Sequence, residues 1–146
     1  MTPWMGAAGL ACAAALAIVP ACSINDSNTE TIAWEAQLVP AVTHPNLSGQ
    51  AAVVTQLAGT DAGIGMMGAR PGAVHRWRIR HGSCAASGDG IGPETDYPEL
   101  VVDEVGDASA ETHLGPRLTR DGTYHAEVRE SPTDTSRIAC GDFQLR

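Results

Sequence analysis

The chain has 146 residues and a formal net charge of −8, from 17 acidic against 9 basic residues. That balance argues against nucleic acid and anionic lipid as partners, because both repel a strongly acidic chain. All nine basic residues are arginine and none is lysine; a GC-rich coding sequence produces such a bias, but it does not explain where several of the arginines fall.

Residues 7–20 are almost entirely small or apolar. The run is too short for a membrane span, which needs about 20 apolar residues, and it reads as the apolar region of a secretory signal. Val19-Pro20-Ala21-Cys22 is similar to a bacterial lipobox, in which Cys22 is lipidated and becomes the first mature residue. The alternative is a plain signal peptide cut nearby. No Lys or Arg precedes the apolar run, and Pro20 is an unusual occupant. Residues 1–21 are therefore expected to be a signal peptide, 22–30 a polar tether, and 31–146 a single domain of ordinary size. The destination is outside the cytoplasm: an outer-membrane-anchored lipoprotein, or a periplasmic protein. Contact with a membrane is then through the lipid alone.

Four cysteines sort by position. Cys12 leaves with the signal and Cys22 is the candidate lipid site, so only Cys84 and Cys140 remain in the domain. A lone pair in an exported protein reads as a disulfide. The loop it closes, about 57 residues, would contribute up to about 4 kcal/mol in the chain-entropy account.

Helical periodicity is scarce and turn residues are dense, which predicts strands. The first spans 31–40, the second 50–57 and the third 62–67, with a turn at 68–72. Residues 74–81 alternate, placing Arg76, Arg78 and Arg80 on one face and His75, Trp77 and Ile79 on the other, since side chains in a strand repeat every two residues. Short strands follow at 100–102 and 108–114. Residues 122–129 alternate again, with Tyr124, Ala126 and Val128 opposite His125, Glu127 and Arg129. A last strand covers 138–145. About eight strands joined by long irregular segments predict an all-β fold, a Greek-key barrel or sandwich.

Two segments carry a family resemblance. Gly72-Ala73-Val74-His75-Arg76-Trp77-Arg78-Ile79-Arg80, followed by Cys84, resembles the turn, copper strand and first disulfide cysteine of the copper-zinc superoxide dismutases. Ser136-Arg137-Ile138-Ala139-Cys140-Gly141 resembles their closing signature. The resemblance covers most of 48–146 and implies their Greek-key barrel and a Cys84–Cys140 bond. It also places Arg78, Arg80 and Arg129 where the family has copper-ligating histidines, and makes Arg137 the counterpart of the arginine at the mouth of the copper channel. The histidines expected in a zinc loop have no counterparts, for none lies between Cys84 and Glu111.

Copper requires imidazole lone pairs, whereas a guanidinium stays protonated and offers donors only. The expectation is a noncatalytic domain with no copper or zinc cofactor. The alternative is a superoxide dismutase or other metalloprotein that uses unfamiliar ligands; a structural or adhesive domain is a third class. Three readings of the arginines stay open. They form a cross-strand charge ladder with Glu127 and Glu130, or Arg78, Arg80, Arg129 and Arg137 make an anion-binding concavity, or they present a surface to an envelope protein. The five histidines, His44, His75, His81, His113 and His125, read as surface or core-satisfying residues.

Overall fold

The computed structural model describes residues 30–146. The expected signal segment and Cys22 lie outside the described residues.

Strands form where the alternation is sharpest. β1 (Ile32–Pro40) buries Ile32, Trp34, Ala36 and Leu38 and turns Glu35, Gln37 and Val39 outward. β2 (Ser48–Gln56) and β3 (Gly59–Met67) make a hairpin in which Gln56 faces Gly59, so that only Leu57 and Ala58 form the turn. Gly59 has φ +135°, and a Cβ there would collide with the Leu114 carbonyl, which makes glycine a requirement of this corner. The hairpin carries Thr60 and Asp61 into the ladder, and the strand therefore starts three residues earlier than the expected 62. Backbone pairing, which side-chain polarity does not reveal, sets that boundary.

β4 (Val74–Gly82) and β5 (Ser87–Gly90) are followed by a single 3-10 turn at Glu94–Asp96 and by β6 (Leu100–Val101), β7 (Ala108–Leu114), β8 (Tyr124–Arg129), β9 (Arg137–Asp142) and β10 (Gln144–Leu145). β5 was not expected: Ser-Gly-Asp-Gly has no apolar residue, hence no alternation to read. The strand expected over 138–145 divides at Phe143. Its ring is buried and its N–H donates to the Tyr124 carbonyl at 2.9 Å. β9 then pairs with the end of β1, and β10 with its beginning.

The sheet order is β5-β4-β8-β9-β1-β2-β3-β7, with β6 added to β4 and β10 to β1, and every pairing is antiparallel. The connections from β3 to β4 and from β7 to β8 cross between the two halves, as Greek-key strands do. The eight-stranded path curls into a half-barrel around its core, giving the all-β barrel architecture expected. Ile79, Leu100, Leu114, Ala126 and Val128 have no exposed surface. Trp34 meets Tyr124 edge-on at 5.9 Å, and Trp77 meets Tyr97 edge-on at 5.0 Å. The Tyr97 hydroxyl donates to the Ile91 carbonyl at 2.6 Å, and burial pushes its pKa up to about 12.

Candidate functional site

The alternation of β4 points Trp77 and Ile79 into the core and Arg76, Arg78 and Arg80 away from it. In β8 the outer row is His125, Glu127 and Arg129. The register sets Arg76 opposite Arg129, Arg78 opposite Glu127 and Arg80 opposite His125. On the other side of β8, Cys140 lies opposite Glu127 and Asp142 opposite His125. Arg78, Arg80 and Arg129 thus share one face, as their strand positions imply. That face is covered, however. His125 is fully buried and Glu127 is 6% exposed.

One carboxylate oxygen organises the charges. Glu127 Oε1 accepts from Arg129 Nε at 3.1 Å and from Arg80 Nη1 at 3.4 Å, and Arg129 Nη2 forms an ion pair with it at 2.9 Å. Arg80 also donates through Nε to the Gly88 carbonyl at 2.9 Å and to Ser87 Oγ at 3.1 Å. Ser87 Oγ in turn lies 3.1 Å from His125 Nε2, while His125 Nδ1 lies 3.0 Å from the Gly82 carbonyl. A carbonyl only accepts, so Nδ1 carries a hydrogen, and in the neutral ring the serine hydroxyl donates to Nε2. The polar network runs unbroken from Glu127 through Arg80 and Ser87 to His125.

Arg78 stands apart. Its Nη2 donates to the Gly92 carbonyl at 2.6 Å, and its guanidinium lies against Gly90, where a Cβ would collide with it. Among the described residues its buried Nε has no partner, nor has that of Arg76, which makes a long ion pair with Glu99 at 3.6 Å. Arg137 donates to the Cys84 carbonyl at 2.8 Å and touches Cys140 Sγ at 3.6 Å. Cys84 and Cys140 form the expected disulfide, with Cα atoms 5.9 Å apart.

The charge ladder is therefore half of the one read from sequence. Glu127 joins it, but Glu130 pairs with His44, whose Nε2 is 3.0 Å from Glu130 Oε2. The next strand position after Arg129 leaves the sheet, so Glu130 faces a different loop. Ser87, Gly88 and Gly92, which receive the arginines, were missed. Glycines at 88, 90 and 92 are the only hint of them, marking backbone that a guanidinium can approach.

Arg78, Arg80 and Arg129 supply charge and donors, with no lone pair for a metal. Among the described residues no three His, Cys, Asp or Glu side chains gather closely enough to hold a metal ion. His81 leans on the Tyr124 ring, centroids 5.4 Å apart, and His125 has both nitrogens engaged. No protein-family model matches the sequence, and no curated protein matches it.

Proposed function

We propose that this chain is a noncatalytic, metal-free superoxide dismutase-like module of the bacterial cell envelope, exported and anchored through Cys22. The observation that carries the reading is chemical. The three positions that resemble copper-ligand sites hold Arg78, Arg80 and Arg129, and each guanidinium is already engaged by a carbonyl or by Glu127. A metal that cycles between oxidation states has no ligand set there, so the module works by binding. Arg80 and Arg129 share one carboxylate and Arg78 beside them has none, so the face keeps a net positive charge, which suits a weakly held anion or an acidic patch on a partner. Such attraction fades with salt, since exposed charges are screened over about 8–10 Å at ordinary ionic strength.

The test combines metal content after refolding with copper and zinc, superoxide turnover, and mass spectrometry of the mature N-terminus. No stoichiometric metal, no turnover and a lipidated Cys22 are expected. Stoichiometric copper with turnover would favour a metalloenzyme with unfamiliar ligands and overturn the proposal. A mature chain with unmodified Cys22 would remove the anchor and leave the export.

A further inference from the structure

A second polar site lies at the end of the barrel, on the side of β4 away from the arginine face. Three loops border an open cleft of about 660 Å³, lined by Thr43, His44, Arg70, His75, Glu130 and Ser131 among others. Its walls are pinned to the fold and to each other. Ala69 N–H donates to the Gly106 carbonyl at 3.1 Å and Gly72 N–H to the Val102 carbonyl at 3.0 Å, which hold the turn bearing Arg70. Gly68, at φ +77°, packs so closely on the Asn46 backbone that a Cβ would collide there. His44 is tied to Glu130 at 3.0 Å, and Glu130 N–H donates to the Ser136 carbonyl at 2.9 Å. The cleft is preformed, as small-molecule sites usually are.

Two groups in it are unspent. His75 is 3% exposed, and its Nδ1 lies 2.7 Å from the Glu130 carbonyl, so that nitrogen carries the hydrogen. In the neutral ring Nε2 is then an acceptor, and among the described residues it has no hydrogen-bond partner, although it is not sealed from solvent. Arg70 lines the same cleft and makes no ion pair or side-chain hydrogen bond among the described residues. Glu130 and His44 satisfy each other, which leaves the arginine as the uncompensated charge.

From this pairing we infer that the cleft binds a small hydroxycarboxylate, its carboxylate on the Arg70 guanidinium and its hydroxyl donating to His75 Nε2. A guanidinium fork matches a carboxylate, and an acceptor nitrogen at the cleft wall selects for a ligand with a hydrogen to give. The site is independent of the arginine cluster on the outer face and of whether the protein holds metal.

The experiment is an NMR titration of the full chain with glycolate, acetate, ethylene glycol and inorganic phosphate, following the His75 ring resonances. Glycolate is expected to shift them saturably, with a dissociation constant of about 1 mM or tighter and about tenfold tighter than acetate or ethylene glycol. Arg70→Ala, a change at an exposed turn, should weaken glycolate about tenfold without moving the unfolding midpoint; Arg70→Lys should restore part of the loss. His75→Gln removes a buried brace and serves only if its unfolding midpoint is unchanged, which is why Arg70 carries the test. Failure to saturate, equal affinity for acetate, tighter binding of phosphate, or indifference to Arg70→Ala would each overturn the assignment. Binding at the outer arginines would leave His75 unmoved and would count against it equally.

Discussion

Replacing Glu127 with glutamine keeps its volume and removes the one charge that Arg80 and Arg129 share. The carboxylate is 8% exposed in its side chain, the two arginines 20% and 22%. At an effective dielectric near 20, the separations of 2.9 and 3.4 Å correspond to gross attractions of roughly 6 and 5 kcal/mol. Most of this is offset by desolvation of three charges and by repulsion between the two guanidiniums. Removing one member of a buried pair still costs about 3–5 kcal/mol, because the partners are left without compensation. The arginine tips reach water, which lowers the figure to about 2–3 kcal/mol, in the range for hydrogen bonds to charged groups. With a urea dependence of about 1–3 kcal/mol per molar, the unfolding midpoint should fall by roughly 0.7–3 M at unchanged slope. Equilibrium urea unfolding followed by tryptophan fluorescence measures it, since Trp34 and Trp77 are both buried. A combined Arg80→Met, Glu127→Leu, Arg129→Met variant should recover most of the loss, as apolar replacements of buried charge clusters often do. A Glu127→Gln midpoint within error of the parent would refute the bridging role, and would mean that the arginines are held by Gly88, Ser87 and their own solvation.

Reducing the Cys84–Cys140 bond, which spans a sequence separation of 56, should cost up to about 4 kcal/mol, read as a lower urea midpoint with reductant present. Ile79→Ala, at a site with no exposed surface, should cost about 2–5 kcal/mol by leaving a cavity, measured in the same assay. His113 should titrate above its usual pKa, because Asp61 accepts a hydrogen bond from Nδ1 at 2.7 Å and the Ala58 carbonyl faces Nε2 at 3.2 Å. Its contribution is therefore fully present below about pH 6.5 and is lost as pH rises through the raised folded value. Asp61→Asn should bring the NMR titration of His113 back down, and an unchanged midpoint would sink the assignment.

Period-two alternation was enough to place the residues of β4 and β8 on their correct faces, because a strand cannot point Trp77 and Ile79 inward without pointing Arg78 and Arg80 outward. A mixture of apolar and polar residues reached β1, and counting cysteines reached the Cys84–Cys140 bond. Those are local or near-local constraints, written into residue order. Which groups the arginines meet was not legible. Arg78 lies opposite Glu127 in the register yet bonds to Gly92, while Arg80 takes the carboxylate from a diagonal position and Arg129 from two residues along the same strand. Long side chains choose partners by the loops folded over them, and β5 and the segment to Gly92 carry no pattern of their own. Glu130 shows the same limit. One residue beyond a strand, it faces His44 from a loop far away in sequence, and the cleft they border with Arg70 and His75 exists only because three separate turns converge. Alternation needs two neighbours to be read; convergence needs the whole chain closed.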